Sequence, residues 1–293
     1  MLLKVIHYGG SFLGILFYYF IPIRKKVILN NLNIAFGKEK SQKEIKKVAL
    51  ENYKHYGKLI FELLFIKSKR QYKELIHVHN LYYGDQALKK NKGIIIIGAH
   101  LGNFEVSLKI SPFIQRKAYR IARKIKSPLF SKIMERFRTQ FGITIIQAKN
   151  TYYKIVSLLK KNEVTVFALD QHTGKHGVYV DFFGKEAGTN TSPIFLAMKT
   201  GAIIIHVYNF RTPDGHFKAI IEKPFELKIT GNKDFDIFYN TQLLTKIIEN
   251  TIRKHPEQWF WIHKRWKGKT PENQSIQPVI PFTEEAYTSY LYP

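Results

Sequence analysis

The stretch that decides the fold is Gly93–Glu105, "GIIIIGAHLGNFE". Four successive isoleucines leave no polar face, the pattern of a strand buried on both sides in a sheet covered by helices. The run ends at His100, after which Gly102 and Asn103 turn the chain towards Glu105. In open α/β sheets ligands sit beyond the carboxyl ends of the strands, so His100 is expected on the working edge, facing a cleft. A carboxylate on one imidazole nitrogen sets the tautomer and steadies the imidazolium, leaving the other nitrogen free as general base. A turn at Gly102 would fold Glu105 back into that role. No serine stands beside the pair, so the proton taken is expected to come from a hydroxyl carried by the substrate. A loop histidine making a structural hydrogen bond is the alternative reading of the same spacing.

Working outward, Ile143–Ile146, Val164–Leu169, Val178–Phe183, Ile203–Phe210 and Phe217–Glu222 read as further strands. Helical spacing separates them, as in Tyr152–Lys161. Ser41–Ile66 has the period of an amphipathic helix, Ser192-Pro193 is a helix start, and Tyr239–Lys254 is a late helix stopped by His255-Pro256. Interleaved strands and helices predict an α/β fold: a layered α/β/α sandwich with a mostly parallel or mixed sheet. Asp170 follows an apolar strand as His100 does, which puts both on one edge.

Val5–Ile23, "VIHYGGSFLGILFYYFIPI", carries no Asp, Glu, Lys or Arg and is followed directly by Arg24-Lys25-Lys26. A bilayer-crossing helix needs about 20 apolar residues. Residues 1–26 are therefore expected to form a membrane-anchoring helix with a basic flank, spanning or half-inserted, that keeps the rest of the chain cytoplasmic. His7, Gly9-Gly10 and Pro22 interrupt the run, and a buried core helix is the competing reading.

The 293-residue chain has no cysteine, which rules out disulfides, thiolate metal sites and thiol nucleophiles. Its 47 Lys and Arg against 22 Asp and Glu give a net charge of +25, which attracts polyanions. Part of the excess is scattered. Part is concentrated in "QRKAYRIARKIK", Gln115–Lys126, and "HKRWKGK", His263–Lys269, where Trp259, Trp261 and Trp266 lie nearby. Those tryptophans suit either a membrane interface or the core. A nucleic-acid-binding protein is the rival class that such charge suggests, but no recognised binding module is present. A serine hydrolase would need a G-x-S-x-G elbow, which is absent.

The blocks "GAHLGNFE", "ARKIKSPLF", "LDQ", "FFGKEAGT", "LAMKTGA" and "PEQWFWIHKRWKG" occur in this order over Gly98–Gly268, after "RKKVILNNLNIAFG". Together they resemble the late acyltransferases of bacterial lipid A biosynthesis, the lauroyl/myristoyl transferases, within the wider H-x4-D/E glycerolipid acyltransferases. The resemblance implies a membrane-associated enzyme at the cytoplasmic side of the inner membrane. Such an enzyme moves a fatty acyl chain from an acyl carrier protein thioester to a hydroxyl of an anionic glycolipid, a lipid A precursor. It implies no cofactor, metal or nucleic acid. His100 would be the base, Glu105 its partner and Arg123 the oxyanion contact. Asp170, Gln171, Asn103, Arg120, Lys124 and Arg265 would meet substrate.

Lys124, Ser127 and Ile204-Ile205-His206 depart from the family pattern, which leaves the acceptor open, another glycolipid or a phospholipid included. The domain reading is an anchor over 1–26, an acyltransferase domain over 27–270 and a tail over 271–293.

Overall fold

A computed structural model describes residues 2–66, 68–104, 116–122, 143–147, 151–173 and 177–268. Three helices come first: α1 (Leu2–Tyr19), α2 (Lys25–Phe36) and α3 (Gln42–Phe65). There follow α4 (Lys69–Leu75), β1 (Ile76–His79), α5 (Leu81–Lys89), β2 (Ile94–Gly98), β3 (Ala118–Ala122) and β4 (Ile143–Gln147). The remaining described elements are α6 (Tyr152–Lys160), β5 (Val164–Ala168), β6 (Gly177–Phe182), β7 (Lys185–Asn190), α7 (Ser192–Thr200), β8 (Ile203–Arg211), β9 (Phe217–Phe225) and α8 (Lys233–Lys254).

Local chemistry explains several helix boundaries. Ser41 and Glu44 form a reciprocal capping box at the start of α3. Pro193 sits in the first turn of α7, and Gly201 ends that helix at φ 68°. Asn232 caps α8 through the Phe235 N–H, so this helix begins six residues before the apolar period becomes visible.

The main sheet has the order β1-β9-β8-β2-β5-β3-β4. All neighbours are parallel except β8 and β9, so the sheet is mixed, with β1 and β9 running against the other five strands. Alternate residues of β2 feed two cores: Ile95 and Ile97 pack on one side of the sheet, Ile94 and Ile96 on the other. This is the layered arrangement that four isoleucines imply. Two details differ from the sequence expectation. Val178–Phe183 does not enter the main sheet; β6 pairs antiparallel with β7 as a separate hairpin. The basic segment around Arg120 contains strand β3, whose Ala-Tyr-Arg-Ile-Ala pattern is too short to stand out.

The expected membrane-anchoring helix, spanning or half-inserted, is not supported, and the competing reading of a packed helix is the better description of α1. Among the described residues no helix is long and apolar enough to cross a membrane. Instead α1 lies along α3, and its glycines make that contact possible. A Cβ on Gly57 of α3 would fall on the Gly10 carbonyl oxygen, and one on Gly14 would fall on the Tyr53 backbone. Small residues one turn apart let two helix backbones approach this closely. The glycines that interrupt the apolar run are therefore its packing surface. The outer side of the pair stays apolar: Tyr8, Phe12, Tyr19, Phe20 and Ile21 of the first segment and Ile60, Leu64 and Phe65 of α3 are exposed, Phe20 at 77%.

Candidate active site

Strands β2 and β5 are parallel neighbours, with Gly98 opposite Ala168. Two residues further along each strand stand His100 and Asp170, so the register alone brings them together. The His100 Nδ1 lies 2.9 Å from Asp170 Oδ1, and the His100 backbone N–H donates to Oδ2 at 2.7 Å. The Trp259 indole N–H donates to the same Oδ2 at 2.8 Å. The carboxylate is 1% exposed and the imidazole 14%. Burial by itself would raise the Asp170 carboxyl, but the His100 charge and the hydrogen bonds from His100 and Trp259 more than offset it and hold it at about 2. An ionised acceptor on Nδ1 keeps the proton there and leaves Nε2 as the basic nitrogen. The Gln171 amide nitrogen approaches that Nε2 at 3.4 Å, and the Phe104 and Phe260 rings flank the imidazole.

The loop carrying His100 is held from several sides. Gly102 has φ 59°, and a Cβ there would strike the Asn209 carbonyl, so only glycine fits this turn. The Phe260 N–H donates to the His100 carbonyl at 3.0 Å, and the Gly102 N–H to the Gln258 carbonyl at 3.0 Å. The segment around Trp259 is itself tied to the first helices. Asn52 donates to the Trp259 and Glu257 carbonyls, and Asn31 to those of Trp261 and His263. Trp259 and Trp261 are thus core residues and not interface anchors.

Of the residues expected at the site, His100, Asp170 and Gln171 converge. Glu105, Arg123 and Lys124 lie outside the described residues. The carboxylate that holds Nδ1 is Asp170, which the sequence reading had given to substrate. Two further expectations need correction. Asn103 is buried and donates to Glu62 Oε2 at 2.8 Å, so its amide serves the loop. Arg265 is 0% exposed; its guanidinium bonds the Gly188 carbonyl and the Thr189 hydroxyl and lies over the Phe182 ring. Burial lowers its pKa to about 10 although the Asp170 charge opposes the shift. A side chain sealed this way supports the hairpin and the dyad's field and meets no headgroup at the surface.

Arg120 is half-buried on β3, opposite Val166 of β5. Arg116, from the same basic cluster, is spent on the carbonyls of Leu88, Lys92 and Asn162. Sequence reasoning missed Trp259 as the second donor to Asp170, although the tryptophan stands within one of the ordered blocks. It also missed Glu62, which carries no local signal at all.

The sequence profile described as "Bacterial lipid A biosynthesis acyltransferase" matches residues 3–268. The chain belongs to that family. The enzyme is accordingly an O-acyltransferase, and the edge that holds His100 and Asp170 is its candidate catalytic centre. It is 26% identical to the lipid A biosynthesis lauroyltransferase of Escherichia coli K12, over 90% of this chain and 86% of the relative. It is 25% identical to the palmitoleoyltransferase of the same organism, over 93% and 88%. With the phosphatidylinositol mannoside acyltransferase of Mycobacterium tuberculosis H37Rv it shares 23%, over 78% and 72%. Two donors of different chain length and two acceptor classes thus fall within a narrow band of similarity to the acyltransferase.

Proposed function

We propose that the protein transfers a fatty acyl group from an acyl carrier protein thioester to a hydroxyl of an anionic glycolipid, a lipid A precursor, at the cytoplasmic face of the inner membrane. The observation that carries this reading is the His100 imidazole, 14% exposed, held at Nδ1 by a buried, ionised Asp170 that leaves Nε2 as the basic nitrogen. The acceptor hydroxyl gives its proton to Nε2 as its oxygen attacks the thioester carbonyl. The tetrahedral intermediate then expels the thiolate, which takes the proton back from the imidazolium. The products are an ester and a free thiol, and no acyl-enzyme forms. Asp170 stabilises the transient imidazolium, the role that spacing had suggested for Glu105. Glu105 and Arg123 enter by family likeness, the latter as the oxyanion contact, typically worth about 3 kcal/mol per donor. General-base assistance contributes about 10²–10⁴-fold.

Two surface features favour a lipid substrate. The exposed aromatic and aliphatic residues of α1 and α3, bordered by Lys4 and Arg24-Lys25-Lys26, suit an α-helical pair lying in the membrane interface and not crossing it. An open cavity of about 300 Å³ is lined by Lys26, Asn30, Asn31, Lys264, Trp266 and Lys267. Three ammonium groups around it suit a phosphate on the acceptor or an acidic carrier surface. A second reading, transfer to another glycolipid or phospholipid, is favoured by the mycobacterial relative.

The test is purified enzyme supplied with radiolabelled acyl carrier thioester and a panel of lipid acceptors. Ester formation on a lipid A precursor that His100→Ala abolishes is expected. Transfer only to phosphoinositide mannosides would select the second reading, and hydrolysis without transfer to any lipid would overturn both.

A further inference from the structure

Beneath the His100 loop lies a buried ionic cluster that the transfer mechanism does not use. Glu62 of α3 and Arg211 at the end of β8 form an ion pair, Nε to Oε1 at 2.5 Å, with both side chains buried. The other Glu62 oxygen accepts from Asn103, three residues after His100. Arg211 also donates to His55 Nδ1 at 2.8 Å, and its backbone N–H and carbonyl are clasped by the Gln258 amide at 2.7 and 2.9 Å. His55 is kept neutral, well below its ordinary pKa, by burial and by the Arg211 and Lys58 charges. With Nδ1 accepting, its Nε2 carries the proton, and the ring bonds the backbone of Gly102. His55 and Glu62 are seven residues apart, two helical turns, and so lie on one face of α3.

We infer that Glu62 is a positioning residue for acyl transfer, holding the Asn103 amide so that the turn at Gly102 presents His100 to substrate. This rests on the acyl-transfer reading above. The reasoning is energetic. Burying an ion pair costs several kcal/mol per ion in desolvation, and apolar residues of similar volume commonly serve packing as well or better. What an apolar pair cannot supply is a fixed acceptor for Asn103. Gly102 adopts a left-handed turn with no side chain to lock it, so the chain beyond it needs an anchor. Asn103 and Glu62 are that anchor, and Arg211 fixes Glu62 in turn. The cluster also joins α3 to the catalytic loop: Glu62 faces the loop, while Ile60 and Leu64, about half a turn of rotation away, are exposed on the other side.

Two variants separate positioning from mere stability. Asn103→Ala removes the link but leaves the Glu62–Arg211 pair intact. Glu62→Leu with Arg211→Met replaces the pair by apolar residues, which avoids an orphaned charge. Each is assayed for kcat and KM with carrier thioester and lipid acceptor, alongside its thermal midpoint. A displacement of about 1 Å at a reacting group costs about 10²-fold in rate. Asn103→Ala is therefore expected to lower kcat about 10- to 100-fold with KM within about twofold and the melting temperature within a few degrees.

The pair replacement should lower kcat similarly, and adding Asn103→Ala to it should cost little more, because both remove one link. A wild-type kcat in Asn103→Ala, or losses that follow the unfolded fraction, would overturn the inference while leaving the reaction assigned. A wild-type enzyme inactive on every acceptor would overturn the reaction itself, and the inference with it.

Discussion

His100 and Asp170 are 70 residues apart in the chain and 2.9 Å apart in space, and the parallel register of β2 with β5 is the cause. Gly98 opposes Ala168, so the residues two steps on share the edge of the sheet. The carboxylate touches imidazole Nδ1, the His100 backbone N–H and the Trp259 indole together, which fixes both the ring and the loop that carries it.

The first prediction compares the two carboxylates. Asp170→Asn should lower transfer by about 10³–10⁴-fold, because an amide stabilises neither the needed tautomer nor the imidazolium. Glu105→Gln should cost less. Rates of ester formation for the two variants, with folding checked by circular dichroism, decide it; a larger loss in Glu105→Gln would return the orienting role to the H-x4-E glutamate.

Stability should fall in two steps on acidification. Burial lowers His206 to about 4; burial, opposed by the Asp170 charge and aided by Arg265, His100 and His172, lowers His263 to about 4. Unfolded histidines take up protons near pH 6.5, and the folded ones refuse them until about pH 4. Stability therefore declines as pH falls through that window. Asp170 acts in the same direction at lower pH: its carboxyl is held at about 2, so the stability it contributes is complete above about pH 4 and is lost as pH falls towards 2. At pH 5 the His206 contribution is a loss of about 2 kcal/mol. His206→Leu should recover that amount at pH 5 relative to pH 7.5, read from denaturant unfolding at both; an unchanged pH dependence would refute the assignment.

The α1–α3 contact should tolerate no side chain at its crossing. Gly57→Leu places atoms where the Gly10 carbonyl stands, and overpacking of this kind costs about 1–3 kcal/mol. A lowered melting temperature and faster proteolysis around Phe20–Arg24 are expected. Gly184→Ala, whose added Cβ meets nothing within 4 Å, is the steric control; its own cost comes from its backbone φ of 73°.

Membrane attachment is predicted to depend on the exposed side of that helix pair. Replacing Tyr8, Phe12 and Phe20 together by serine removes three large apolar side chains from a surface they do not help to pack. At about 1.5–3 kcal/mol per fully buried side chain, even partial insertion makes binding to anionic vesicles fall by more than about 10-fold. The melting temperature of the free protein should change little. Sedimentation with vesicles measures the first and calorimetry the second; full binding by the variant would reject interfacial docking.

Local pattern was enough for much of this protein. Four isoleucines specify a strand buried on both faces, capping residues mark helix starts, and ordered blocks from Gly98 to Gly268 reveal the family and put His100 at a strand end. These features depend on neighbours within one or two turns, which the chain displays directly. Tertiary structure alone decided the rest. Asp170 became the partner of His100 through strand register, Asn103 and Arg265 turned inwards to bonds with residues 41 and 77 positions away, and the apolar first helix was claimed by α3 through its glycines. Each of those outcomes is a pairing of surfaces remote in the chain, and no window of sequence contains both halves of such a contact.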